Sequence, residues 1–221
     1  MIKVEHIETF NFEGAIRGMR NPLNSWDKSD TAYDVSDYWD EDQTIKLRHY
    51  DVLIGDNDLD LMKRLYKAGP EHRKYLRQIF ISLDITAPLY WWKEFDTYKV
   101  GTVSNSCSTM HKIAAKEFVL DDFSHEHLKP YAVECLTETI KVLNEYRTAY
   151  HMTHDKEAWW QLIQLLPSSY NQKRTITMNY ENAITIIKQR YGHKLDEWND
   201  LVDILVKELP YIEEIMEDYN E

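Results

Sequence analysis

Three observations predict an α+β fold. Ile79, Ile81, Leu83 and Ile85 alternate with Phe80, Ser82, Asp84 and Thr86, the period of a strand whose two faces differ. Val133, Leu136, Ile140 and Leu143 recur three and four residues apart, as do Leu195, Trp198, Val202, Leu205 and Leu209, which is the stripe of a helix packed on a core. Strand and helix patterns interleave without a regular βαβ repeat, so α+β is the class expected rather than a doubly wound sheet.

Along the chain, Ile2, Val4 and His6 alternate with polar residues and predict a short opening strand. A helix through Phe12 to Met19 follows and stops before Asn21-Pro22. Residues 21–45 carry many Asp, Ser and Asn with little period and read as a loop or a mobile lid. Leu59, Met62, Leu65 and Tyr66 predict a helix from Asp58 towards Gln78, broken near Gly69-Pro70. After the strand at 79–86, Pro88 opens a helical WWKEF segment, and a long helix runs from about Pro130 to Tyr150. Trp159, Trp160, Leu162 and Leu165 make a short helix that ends at Leu166-Pro167. Thr175 to Asn179 reads as a strand and Glu181 to Gln189 as a helix, before the final stripe.

With 221 residues the chain is long enough to bury a substantial core, and one domain over 1–221 is expected. The net charge of −12 disfavours nucleic acid and anionic membranes as partners, because the summed surface field repels a polyanion. A small anion such as a nucleotide needs only a local cluster of cations. No run approaches the roughly 20 apolar residues that span a bilayer, and the start MIKVEHIETF lacks the order of a signal peptide, so a soluble cytoplasmic protein is expected. Two cysteines are too few for a disulfide framework. Cys107 reads as a small core residue rather than a reactive thiol, since free cysteine tends to be buried.

His125-x-His127, and His151 with His154 and Asp155, have spacings that metal ligands use. No cysteine pair or matching carboxylate set accompanies them, and no metal is expected. Trp91, Trp92, Trp159 and Trp160 read as core or subunit interface before they read as a stacking pocket.

Two segments carry a resemblance. The strand at 79–86, Ala87-Pro88 and then Leu89-Tyr90-Trp91-Trp92-Lys93-Glu94-Phe95 lead into TYKVGTVSNSCSTMH, and further on come Leu166-Pro167, Asn179, Arg190, His193 and Trp198. Together they resemble the flavin-dependent thymidylate synthases. That family has an R-H-R-x-x-S-x-N-E-x-S-x-R-Y signature after a strand, a proline and an aromatic helix. Its later segment has Leu-Pro, an Asn opening a helix about a dozen residues on, an Arg eleven beyond it, and then His and Trp.

One register of the signature matches Asn105 and Ser108, with Tyr98, Lys99 and Val100 standing for the R-H-R triplet. A shift by one residue puts Lys99 on the third member of the triplet and Thr102 on the first Ser. Both registers remain open, and in either the signature is degenerate. The family Arg after Asn179 is here Glu181, the Arg four residues before the proline is Ile163, and the nucleotide-phosphate Arg is Met110.

The resemblance implies a mixed or antiparallel sheet with a helical C-terminal half. It implies reductive methylation of dUMP to dTMP, or a close variant on a pyrimidine nucleotide, with FAD as cofactor and NADPH and methylene-tetrahydrofolate as co-substrates, in a homotetramer. Arg190 falls on the catalytic arginine that polarises the uracil ring. Asn179, Asn105, Tyr98, Lys99 and His193 fall to the cofactor, and Ser106, Ser108, Lys93 and Arg190 to the substrate.

A fixed guanidinium suits that role because it stabilises charge developing on a carbonyl oxygen. Losing several cations weakens the hold on a dianionic nucleotide and on a flavin diphosphate, each charged hydrogen bond being worth about 1.5–3 kcal/mol. Lys93, Lys99, Lys112, Lys173 or Arg174 would have to compensate, although lysine lacks the two-pronged geometry of arginine. The alternative function is a catalytically degenerate homologue acting as a nucleotide- or flavin-binding or regulatory module.

Overall fold

The structure is a computed structural model and describes residues 2–39 and 46–217. The chain divides into two compact units. Unit 1 comprises Met1–Ile7, Ser82–Thr177 and Arg190–Ile204, and unit 2 comprises Glu8–Ile81, Met178–Gln189 and Leu205–Glu221.

Strands β1 (Lys3–Phe10), β4 (Phe80–Pro88), β5 (Val103–Ser106) and β6 (Asn171–Asn179) form one sheet in the order β1-β4-β6-β5. β2 (Ala32–Trp39) and β3 (Lys46–Leu53) form a separate ribbon. The helices are α1 (Phe12–Arg20), α2 (Asp56–Lys67), α3 (Leu89–Phe95), α4 (Pro130–Thr153), α5 (Lys156–Leu165), α6 (Tyr180–Arg190), α7 (Asp196–Glu208) and α8 (Ile212–Met216). This is the α+β class expected, with an antiparallel sheet and helices dominating the C-terminal half.

The alternation in β4 does what it predicts: Ile81, Leu83 and Ile85 are fully buried, while the residues between them are partly exposed. In unit 1, α4 presents Leu136, Ile140 and Leu143 to Phe118, Phe123 and Leu162, so the helical stripe is the core stripe. α3 buries Trp91, Trp92 and Phe95. Its first two N–H groups, which lack partners inside the helix, donate to the carbonyls of Tyr170 and Ser168 at 3.0 and 2.9 Å. The aromatic helix is thereby held at the start of β6, where Trp92 Nε1 also donates to the Gln172 carbonyl at 2.9 Å.

In unit 2, the ring of Phe12 meets Tyr180 edge-on at 5.4 Å, and the Tyr180 hydroxyl donates to the Pro210 carbonyl at 3.0 Å. Arg20 and Asp58, both buried, pair at 2.6 Å.

Two strands depart from the reading above. Within 21–45, read as a loop, Ala32–Trp39 is a strand that pairs antiparallel with Lys46–Leu53, from Ala32 opposite Leu53 to Trp39 opposite Lys46. Cross-strand backbone pairing forms that ribbon, a signal that a search for apolar period does not read. Residues 40–45 of that expected loop lie outside the described residues. Before it, residues 29–31 are strapped to α2, since the Ser29 and Thr31 hydroxyls each donate to Asp58 Oδ2 at 2.7 Å. The polar stretch Val103–Ser106, for which no strand was expected, is an edge strand that is exposed throughout. Cross-strand hydrogen bonds to β6 define it, and an edge strand open to solvent shows no hydrophobic signal.

Candidate functional site

Arg190 is the last residue of α6, where a cation complements the helix dipole. Gly192, at φ +65°, takes a left-handed turn that suits glycine and brings His193 and Trp198 back towards the guanidinium. In that position Arg190 Nη1 lies 2.7 Å from Glu94 Oε2, and Nε donates to the Tyr98 hydroxyl at 2.9 Å. Below the guanidinium is the Trp198 ring, 4.4 Å from its centroid, and Tyr98 offers a second ring at 5.5 Å. Trp198 itself stacks with Phe95 and meets Trp91 at a tilt of 42°, and its Nε1 donates to the same Glu94 oxygen at 3.0 Å.

His193 closes the group. Its Nδ1 accepts from Leu195 N at 3.1 Å, which in the neutral ring leaves the proton on Nε2. Nε2 stands 3.2 Å from Arg190 Nη1 and 3.7 Å from Glu94 Oε2, so the imidazole lies against both partners of the ion pair. Of the residues singled out from the sequence, Arg190, Tyr98 and His193 thus come together. Glu94, which organises them, does not stand out in the sequence. No local period marks it, because α3 ends at Phe95 and Tyr98 lies beyond the helix, so the pairing of positions 94 and 98 is made by the turn that follows.

The others sit elsewhere. Lys93 and Lys99 are exposed. Asn105 and Ser106 lie on β5, opposite Thr175 and Arg174 of β6. Ser108 closes a turn, its Oγ accepting from Met110 N at 3.2 Å and His111 N at 2.9 Å. It lines a cavity of about 300 Å3 with Lys116, Asp122, Tyr170 and Lys173, and Arg190 is not among the residues that line it. Asn179 belongs to unit 2 and caps α6, its Oδ1 accepting from Asn182 N at 3.0 Å.

Two cations that would compensate for the missing arginines are already matched. Lys173 Nζ lies 3.0 Å from Asp84 and 3.5 Å from Glu5, while Arg174 pairs with Asp96 at 2.8 Å and lies over the Trp92 ring at 4.2 Å. Hydrogen bonds from Thr175 and Lys173 hold the Asp84 carboxyl below the usual carboxylate range.

Cys107, expected in the core, is exposed, because it follows the solvent-facing β5. Its backbone N–H is nevertheless tied to the Lys173 carbonyl at 2.9 Å. The histidine pairs have separate partners: His125 Nδ1 lies 2.7 Å from the Phe123 carbonyl, and His127 Nε2 lies 3.1 Å from Asp196. Among the described residues, no group of three His, Cys, Asp or Glu side chains is placed to hold a metal ion, and no helix is long and apolar enough to cross a membrane.

Solved structures share this architecture over essentially the whole chain. Thymidylate synthase X (ThyX) from Helicobacter pylori, with FAD and dUMP, matches with a TM-score of 0.65 at 16% identity, covering 99% of this chain and 98% of that one. A second structure of the flavin-dependent thymidylate synthase ThyX from Helicobacter pylori, complexed with FAD and dUMP, gives a TM-score of 0.66 at 16% identity, covering 100% and 99%. The fold is that of the flavin-dependent thymidylate synthases. No protein family model matches the chain, and no curated protein matches its sequence.

Proposed function

We propose that this chain is a flavin-dependent enzyme of the thymidylate synthase type, converting dUMP to dTMP, or a close variant acting on another pyrimidine nucleotide. The observation that carries this reading is the full-length likeness to two structures described with FAD and dUMP. Arg190 is the proposed catalytic residue, since its guanidinium is oriented by Glu94, Tyr98 and the Trp198 ring.

Two features of the signature turn fit a cofactor. Thr102 Oγ1 is buried without a hydrogen-bond partner, and the neighbouring Gly101 has φ +75°, which allows close backbone approach. Tyr98, Lys99, Asn105, Asn179 and His193 are assigned to holding FAD, and Lys93, Ser106, Ser108 and Arg190 to the nucleotide. FAD, reduced by NADPH, would supply the reducing electrons, and methylene-tetrahydrofolate the carbon. A homotetramer in the cytoplasm completes the proposal.

A second reading is favoured by one specific observation. The Glu94 carboxylate already neutralises Arg190, and carboxylates likewise occupy Lys173 and Arg174, so none of these three brings unbalanced charge to a phosphate or a developing enolate. On this reading the chain binds flavin or nucleotide without methylating.

Release of the C5 proton of dUMP, measured with FAD, NADPH and methylene-tetrahydrofolate, separates the two. Proton release is the expected result. Binding of FAD and dUMP without release would establish the second reading, and a colourless protein that binds neither ligand would remove both.

A further inference from the structure

Unit 1 contains a cavity of about 330 Å3 where the end of α4 and the start of α5 meet residues 110–114. None of the residues assigned above to FAD or the nucleotide lines it. Its basic side chains, His111, His154 and Lys156, are exposed, and no carboxylate is among the residues that line it. Two other cavities differ in this respect. Lys116 and Lys173 line one and pair with Asp122 and Asp84, while Arg17 and Arg20 line another and pair with Glu13 and Asp58. Lys156 makes no ion pair among the described residues. Its neighbour Asp155 is spent on capping α5, Oδ1 accepting from Glu157 N at 3.1 Å. In a chain of net charge −12, an unmatched ammonium on a cavity rim calls for an anion from outside the chain.

The walls describe the rest of that ligand. Tyr150 and Trp159 line the cavity and are each half-buried. The indole N–H of Trp159 is consumed by the Met110 carbonyl at 3.0 Å, so the side chain is held in place and has its ring surface to offer. Residue 114 is pinned to α4, its carbonyl accepting from Arg147 Nε at 3.2 Å and lying 2.6 Å from His151 Nε2. His154, in a left-handed turn at φ +53°, sets its ring edge-on to Tyr150 at 5.8 Å. The Lys156 ammonium is 6.0 Å from the Trp160 centroid, at the limit of a cation–π contact, and keeps its donors for a ligand. The volume sits at the lower end of the range for ligand pockets, about 300–1,000 Å3, and suits one ring with its charged group.

We infer that this cavity binds a small aromatic anion, a single flat ring carrying a phosphate or a carboxylate, with Lys156 and the His111 and His154 imidazoles meeting the charged group and the ring lying against Trp159 and Tyr150. Charge and flat apolar surface occur together here without an acid to cancel the charge, and that combination selects the ligand class.

Calorimetric titration of the full chain with phenyl phosphate and benzoate tests this, against phenol, which keeps the ring, and inorganic phosphate, which keeps the charge. At least one of the two aromatic anions is expected to bind about tenfold more tightly than phenol or inorganic phosphate, because ring and charge are both used. Lys156→Gln, at an exposed position, is expected to weaken that binding by about tenfold, with the circular dichroism spectrum unchanged. Trp159→Leu is expected to weaken it by about tenfold through lost stacking. Arg190→Ala is expected to leave it unchanged, which separates this cavity from the nucleotide site proposed above. No binding of either aromatic anion, phenol or inorganic phosphate binding as tightly, affinity indifferent to Lys156→Gln, or binding lost in a folded Arg190→Ala variant would each overturn the inference.

Discussion

Glu94 and Arg190 are 96 residues apart in sequence, and their side chains meet at 2.7 Å, with Trp198 donating to the same carboxylate oxygen. The guanidinium that would polarise a uracil ring therefore already holds an anion of its own chain. On the function proposed above, a substrate carbonyl would have to share Arg190 with Glu94 or displace it.

Glu94→Gln separates charge from geometry. The amide oxygen can still accept from Trp198 and Arg190, so the thermal midpoint should change little, a partly exposed pair being worth about 1 kcal/mol or less. With its charge unmasked, Arg190 should bind dUMP about tenfold more tightly. A thermal melt checks the first half and calorimetric titration with dUMP the second, where an unchanged or weaker affinity would remove Arg190 from uracil recognition.

Trp198→Ala should be severe. The residue is fully buried against Trp91 and Phe95 and carries the Arg190 guanidinium on its face. Losing the ring should cost about 3–5 kcal/mol in urea unfolding, and the phenylalanine variant should recover part of that.

Asp58→Asn should destabilise unit 2. Arg20 would be left buried without its counter-ion, and Oδ2 is the shared acceptor for Ser29, Thr31 and the Asp30 and Thr31 N–H groups. Breaking a buried pair from one side costs about 3–5 kcal/mol, measurable as a fall in the denaturant midpoint.

Acid should reproduce part of that loss. Burial pushes the Asp58 carboxyl up, but hydrogen bonds from Thr31, Ser29 and Arg20 outweigh it and leave the group below its ordinary value. A depressed folded value means the contribution is complete above the unfolded aspartate value, near about 3.9, and disappears as pH falls through the folded one. Stability followed from about pH 6 to about pH 2 should show an acid-labile component that the asparagine variant lacks.

Periodicity made much of the fold legible. The alternation at 79–86, the stripe at 133–143 and the stripe at 195–209 each appear where burial repeats along a regular element, and each became the element expected. The ribbon of β2 and β3 and the edge strand β5 were not read from period, since they are defined by backbone pairing between strands.

The candidate site was half legible. The order Leu166-Pro167, Asn179, Arg190, His193 and Trp198 carries the resemblance to the flavin-dependent thymidylate synthases, and that resemblance is what singles out Arg190. Which anion Arg190 meets, whether Lys173 and Arg174 have charge to spare, and that Cys107 faces solvent are decided by contacts between distant segments. Composition and local pattern report how often a residue type is buried. Only the folded chain, which brings residues 94, 190 and 198 to one carboxylate oxygen, determines which charges cancel.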